Sequence, residues 1–243
     1  MPTTPPLTLD VYGQTDQGII RSDNQDALLM DTQHQIYAVA DGLGGLSGGA
    51  QASMLAVERV KSLIAGAAPE EQPDLEYLFR EMQNAVQEEG DKIEDELGMG
   101  TTFTMVNLRG NAMRIGHMGD SGIFLFRNEE VFQLTMDHTM AQEILDSQHA
   151  TSRISIPEYY YHTLTRCLGQ ESDGGPDIFE HKIQQNDRYL LYSDGVTKVF
   201  NHEELLERIY QFNDAQSFVE FVIHMSNERG GPDNTTAIAL FFS

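Results

Sequence analysis

The sequence predicts an α+β fold in which two β-sheets pack together and helices flank them. Three observations predict it. Runs with strand patterning fall in two clusters. Each cluster has its own pair of helical segments, so strand and helix do not alternate singly as in a doubly wound parallel sheet. The chain has 243 residues and a hydrophobic content of 40%, enough for one sizeable core. Residues 1–243 are therefore expected to form one domain, with an irregular segment at about 137–163.

Each element has its own signal. Over 7–16, Leu7, Leu9 and Val11 alternate with polar residues, as in a half-buried strand. A polar patch, Arg21-Ser-Asp-Asn-Gln-Asp26, precedes a second strand at 27–30. The apolar run from Ile36 ends on Asp41 and a glycine-rich turn. Helical patterning begins near Ser47, with Ala52, Leu55, Ala56, Val60, Leu63 and Ile64 on one face. Asp74 suits the N-cap of a second helix with the stripe Leu75, Leu78, Phe79, Met82, Val86 and Ile93, ended by Gly98 and Gly100. Strands follow at 101–107 and 113–118, joined by a tight turn at 109–111, then at 123–126 and 131–134. A short helix is expected at 140–145. The rest of 137–162 has no steady period, which in a compact domain marks a functional loop. Strands at 178–183 and 189–193, helices at 203–210 and 215–226, and a closing strand at 235–242 complete the chain.

Composition excludes several roles. The net charge is −23, which repels nucleic acid and works against anionic substrates. No apolar run is long enough to span a bilayer, and residues 1–9 lack the features of a signal peptide. The single cysteine, Cys167, rules out an intramolecular disulfide framework and a thiolate metal cluster. A cytoplasmic address follows, with no nucleic-acid or membrane partner expected.

An Asp-Gly after a strand is ordinarily a turn. Here Asp41, Asp120, Asp194 and Asp233 all fall where an expected strand meets a loop, and Asp26 opens a strand. Carboxylates gathered at one end of stacked sheets repel, and such a site needs cations or protons. Oxygen ligands favour hard ions such as Mg²⁺ or Mn²⁺. The residues alone do not say which carboxylates share an ion.

The motifs Arg21-Ser-Asp-Asn-Gln-Asp26, Val39-Ala-Asp-Gly-Leu-Gly-Gly45, Gly100-Thr-Thr102, Gly119-Asp-Ser121, Asp137-His138, Leu164-Thr-Arg-Cys-Leu-Gly169, Ser193-Asp-Gly195 and Gly231-Pro-Asp-Asn-Thr235 occur in this order. As a set they resemble the metal-dependent Ser/Thr protein phosphatases of the type-2C (PPM) class, in a bacterial form. The resemblance covers the chain from Leu7 to its end. It implies a four-layer αββα sandwich of two antiparallel sheets flanked by helix pairs. It implies that Asp41 bridges two Mn²⁺ or Mg²⁺ ions, with the Gly42 carbonyl on the second and Asp194 and Asp233 completing the first. Asp120 with Asp194 would form the third-ion site of bacterial members. Asp26 would hold metal-bound water, Arg21 would grip the substrate phosphate, and Asn234 would help position it. The implied reaction is hydrolysis of phosphoserine and phosphothreonine by direct attack of a metal-bridging water. The implied partners are phosphoproteins, including a cognate Ser/Thr kinase or its substrates, and the expected state is a monomer.

The chain departs from the pattern at three positions. Leu43 stands where some members carry a histidine proposed as general acid, so leaving-group protonation is unassigned. Gln25 replaces an acidic residue, and Gly122 replaces an arginine. Gly119-Asp-Ser-Gly122 also resembles a chymotrypsin-like nucleophile segment, but no matching histidine segment or disulfides accompany it. The glycines after Asp41 match no phosphate-cradling motif. The serious alternative is a catalytically weak pseudophosphatase or phosphoprotein-binding adaptor on the same fold, which would have lost ligands. His34, His117, His149, His162, His181, His202 and His224 read as turn or packing residues, His138 as structural support, and Cys167 as a core thiol. The segment 137–162 reads as a flap over one side of the cleft that helps choose substrates.

Overall fold

The computed structural model describes residues 7–44, 48–68, 73–93, 98–147 and 155–243. Strands β1 (Leu9–Asp16), β2 (Asp26–Asp31) and β3 (Ile36–Asp41) precede helices α1 (Gly49–Ile64) and α2 (Leu75–Gly90). Then come β4 (Phe103–Arg109), β5 (Ala112–Met118), β6 (Gly122–Arg127), β7 (Glu130–Gln133), α3 (Met140–Ser147) and a 3₁₀ turn at Glu158–His162. The chain ends with β8 (Asp177–Lys182), β9 (Arg188–Tyr192), α4 (Asp194–Thr197), α5 (His202–Ile209), α6 (Ala215–Glu228) and β10 (Thr235–Phe242).

Two antiparallel five-stranded sheets result, ordered β1-β10-β9-β6-β7 and β2-β3-β4-β5-β8. Alternate residues of each strand serve opposite faces. Tyr37, Val39, Val106 and Ile115 meet Leu125, Tyr189, Leu191 and Ile238 in the core between the sheets. The intervening Ala38, Ala40 and Met105 face α1 and α2 through Ala52, Ala56, Val60, Phe79 and Met82. On the other sheet Phe124, Leu190, Ala237 and Ala239 face Leu205, Phe218 and Val222 of α5 and α6. This is the expected four-layer αββα sandwich.

Three local expectations differ. The second helix ends at Gly90, and Ile93 packs on the core from beyond it. The N-cap is as read: the Asp74 carboxylate accepts from the Tyr77 N–H at 3.2 Å. The Asp-Gly at 194–195 opens the short helix α4 instead of a simple turn. The irregular segment contains a 3₁₀ turn as well as α3. The expected helix start at Ser47, Gly45 of the second motif, and residues 148–154 of the flap lie outside the described residues.

At the end of the sandwich where β9 begins, Asp187 is fully buried and accepts two parallel bonds from Arg127, each 2.6 Å. The Tyr189 hydroxyl and the Gln184 N–H complete its shell. Removing one partner strands the other in a poorly solvated site. Asp187→Ala is expected to lower stability by about 3–5 kcal/mol in urea denaturation; a change below ~1 kcal/mol would show the pair to be dispensable.

Candidate active site

Pairing register brings the acidic residues to the opposite end of the sandwich. Asp26 and Asp41 are cross-strand neighbours at the end of the β2–β3 ladder. Asp120 follows β5, whose last residue, Met118, pairs with the first residue of β4. Asp194 follows β9 and Asp233 precedes β10, and these strands pair near those ends through Tyr192 and Ala237. The antiparallel order therefore collects five aspartates that are far apart in sequence. Asp41, Gly42, Asp120, Asp194, Asp233 and Asn234 line one cleft of about 520 Å³, together with Arg21, Gln25, Leu43, His162 and Lys198. Asp26 lies buried beside them.

Each carboxylate is held by its backbone surroundings. The Asp41 N–H donates to Thr102 Oγ1, and its carbonyl accepts from the Thr102 N–H and the Thr101 hydroxyl. Thr102 Oγ1 also bonds Ser121 Oγ at 2.7 Å, tying the Asp41 strand end to the Asp120 loop. Among the described residues no group bonds the Asp41 carboxylate, which lines the cleft. The missing side chain at Gly42 serves close packing: a Cβ there would meet the Gly49 carbonyl oxygen at 2.2 Å. A Cβ on Gly195 would meet the Asn234 carbonyl oxygen at 1.9 Å, so glycine lets the Asp194 and Asp233 segments approach.

His138 supports the Asp120 loop. Its ring Nδ1 accepts the Gly119 N–H at 3.1 Å, and its own N–H donates to the Gly119 carbonyl at 2.8 Å. With Nδ1 accepting, Nε2 donates to Asp177 at 3.2 Å. His117 packs against it at 4.6 Å and donates from Nε2 to the Met136 carbonyl. His138 fills the supporting role read for it, and His117 is a packing residue, as read.

The electrostatics show an excess of negative charge. Burial, then Asp26, Asp194 and Asp120, raise the Asp41 carboxyl well above its ordinary range. Burial, then Asp194 and Asp137, push Asp120 up to about 8. Burial pushes Asp26 up to about 6 against hydrogen bonds from Ser193 and Thr236. Those two hydroxyls both bond Oδ2 at 2.7 Å, while the buried Oδ1 has no partner among the described residues. An all-oxygen donor set with mutually raised carboxyls and an orphaned buried oxygen suits hard divalent cations and their water.

Asp233 differs. Burial raises it, but Lys198 and Arg21 pull it below the usual carboxylate range. Arg21 forks onto it, Nε to Oδ1 and Nη2 to Oδ2, both at 2.8 Å. Lys198 Nζ lies 2.5 Å from Oδ2 of both Asp194 and Asp233. Among the described residues no three acidic, histidine or cysteine side chains close around a single point. Asn234 makes its contacts with the backbone: Oδ1 accepts the Gln25 N–H, and Nδ2 donates to the Gln17 and Asp23 carbonyls. It thereby fixes the loop that carries Arg21.

Sequence reasoning missed two cleft residues. Lys198 stands four residues after Asp194, the spacing that puts a lysine over a carboxylate once a helical turn is recognised. His162, taken as a turn or packing residue, lines the cleft. Nothing local to it signals that.

Comparison with known proteins agrees with this architecture. The family model described as Protein phosphatase 2C matches residues 19–239. The chain belongs to the protein phosphatase 2C family. Within that family it is 29% identical over 239 residues to the serine/threonine protein phosphatase PstP of Mycobacterium tuberculosis, covering 96% of this chain and 45% of PstP. The chain thus spans under half the length of that relative. It is 30% identical over 232 residues to the protein phosphatase PhpP of Streptococcus pneumoniae, covering 91% and 93% of the two chains. The solved PstP catalytic domain in complex with two manganese ions superposes with a TM-score of 0.79 at 29% identity, over 97% of this chain and 99% of that one. No helix among the described residues is long and apolar enough to cross a membrane.

The His117 environment sets a pH dependence. Burial, then His138, hold its imidazole down to about 3, against an ordinary 6.5. Below 6.5 the unfolded chain takes up a proton that the folded chain refuses, so stability falls as pH falls. From pH 7 to pH 5 the wild type is expected to lose about 2 kcal/mol more than His117→Asn in urea denaturation. Equal losses would contradict a neutral, buried His117.

Proposed function

We propose that the chain is a metal-dependent protein serine/threonine phosphatase, with Asp41, Gly42, Asp120, Asp194 and Asp233 as its metal-holding residues and Arg21, Asp26 and Asn234 as its catalytic and positioning residues. The observation that carries this reading is the convergence of those aspartates with Arg21 in one cleft of a protein phosphatase 2C fold. Two Mn²⁺ or Mg²⁺ ions, with a third at Asp120 and Asp194, would supply Lewis-acid polarisation of water and of phosphoryl oxygens.

The chain's own groups do the rest. Asp41 is the cross-strand neighbour of Asp26 and feels the charges of Asp194 and Asp120, and among the described residues no group bonds its carboxylate oxygens. Arg21 is half exposed at the cleft edge, and its planar fork can offer a phosphate the two parallel donors that it now gives Asp233. Asp26 Oδ1, buried and without a hydrogen-bond partner among the described residues, is placed to accept from a water and orient it. Asn234 keeps the Arg21 loop in register. Leu43 gives the leaving oxygen no proton, so leaving-group protonation has no assigned side chain. Cys167 is buried and its thiol is pushed up to about 12, which excludes a thiolate nucleophile at neutral pH. The alternative of a pseudophosphatase or adaptor is disfavoured because every expected carboxylate is present.

The same proposal treats 1–243 as a single catalytic domain with the segment 137–163 as a flap. His162 from its end and Leu164 just beyond it line the cleft, and Leu164 also lines a neighbouring groove of about 1450 Å³ with Arg80, Met140, Glu143 and Arg166. A groove of that size beside the aspartates suits a phosphoprotein chain better than a small phosphate ester. The protein would then act as a cytoplasmic monomer in signalling, opposite a Ser/Thr kinase or on that kinase's substrates.

Hydrolysis of p-nitrophenyl phosphate is expected to require Mn²⁺ and to fall by on the order of 10²-fold or more in Asp41→Asn. Absence of metal-dependent turnover in pure protein would sink the enzyme reading. Arg21→Lys is expected to raise KM about tenfold, since a point charge replaces a bidentate fork. Exchanging the flap for that of PhpP is expected to change phosphopeptide preference while p-nitrophenyl phosphate turnover holds; unchanged preference would count against the flap.

A further inference from the structure

Lys198 has a place that the proposed mechanism does not use. It follows α4 four residues after Asp194, and its N–H closes the helical turn onto the Asp194 carbonyl at 2.9 Å. Val196 and Phe200 on either side are buried in the helix-facing core, so the backbone there is fixed. The side chain is therefore directed back over Asp194 and reaches Asp233 beyond it, with 2.5 Å to each carboxylate. An ammonium is a compact point charge with three donors, which lets one group bridge two carboxylates. Its side chain is 28% exposed, so the flexible stem has a way out to water. Asp41 and Asp120 line the same cleft, Asp26 lies buried beside it, and Arg21 also binds Asp233, sharing Oδ2 with Lys198.

We propose that Lys198 is a resident cation of the metal centre: its ammonium holds Asp194 and Asp233 together in the metal-free protein, and a divalent ion that takes those carboxylates displaces it. This rests on the metal-centre reading above. The argument is one of occupancy. A divalent ion between Asp194 and Asp233 needs the lone pairs that Nζ engages. An ammonium and a dication a few ångströms apart repel strongly in a site with little water. Both cannot stay. Lys198 therefore sets the metal affinity of the site, weakening it by the strength of the bridge it forms. It also spares the metal-free chain the repulsion of two adjoining carboxylates.

The test uses Mn²⁺ alone as probe on the full chain. Isothermal titration should show Lys198→Met binding Mn²⁺ at least tenfold more tightly than wild type, while its metal-free form melts at a lower temperature. Lys198→Gln, which keeps a neutral donor for the two carboxylates, serves if the methionine variant does not fold, and should also bind more tightly. A second readout needs no variant. The chain has four lysines, and Lys61 and Lys92 are exposed internal references. Labelling with an amine-acylating reagent, followed by peptide mapping, should modify Lys198 slowly in the metal-free protein and several-fold faster with Mn²⁺ saturating, with Lys61 and Lys92 unchanged. Equal or weaker Mn²⁺ affinity in the variants, or labelling of Lys198 that ignores Mn²⁺, overturns the proposal while leaving the metal centre intact. If neither wild type nor variant takes up Mn²⁺, the metal-centre reading falls and this proposal falls with it.

Discussion

Like-charge repulsion at one end of the sandwich is the constraint on which this structure depends. The strand order forces Asp26, Asp41, Asp120, Asp194 and Asp233 into one neighbourhood. Burial makes their repulsion expensive, and the raised Asp26, Asp41 and Asp120 carboxyls register it. Protons or nearby positive charge relieve it. In the chain itself that charge is Arg21 and Lys198, both drawn to Asp233, and Asp233 is held below its ordinary range. A site built this way is strained without cations and receptive to them. Such a site can admit a phosphate into a protein of net charge −23.

The surrounding fold serves to hold that arrangement. Thr101, Thr102 and Ser121 stitch the Asp41 strand end to the Asp120 loop, and His138 clamps Gly119 from the other side. Asn234 pins the Arg21 loop by three backbone contacts. Gly195 permits the Asp194 and Asp233 segments to touch. These are groups locked on rigid elements behind the reactive ones, the condition for keeping charges that repel each other in fixed positions.

Much of this was legible in the sequence because it is local or repeated. Period-2 runs marked the strands, and the stripes Ala52–Val60 and Leu78–Val86 marked the helices that face the β2–β5 sheet. Five aspartates at strand ends gave the site, since the ends of stacked strands must meet. What was not legible depends on distant pairing. Nothing near Asp26 says that Asp41 is its cross-strand neighbour, or that Ser193 and Thr236 will bond one of its oxygens and leave the other bare. His162 reaches the cleft through the course of an irregular segment. Lys198 was legible in principle, but an Asp-Gly read as a turn hides the helical spacing that places it. Gly42 shows a subtler gap: nothing in the sequence tells that the Gly49 carbonyl closes on it.

The central claim is that the aspartate cluster is a divalent-metal centre. Anomalous diffraction from crystals of the full chain grown with Mn²⁺, collected at the manganese edge, tests it most directly. The account predicts two strong peaks in the cleft, with Asp41 between them and Asp194 and Asp233 on one. A map without anomalous density there, at Mn²⁺ concentrations that support no other occupied site, would contradict it.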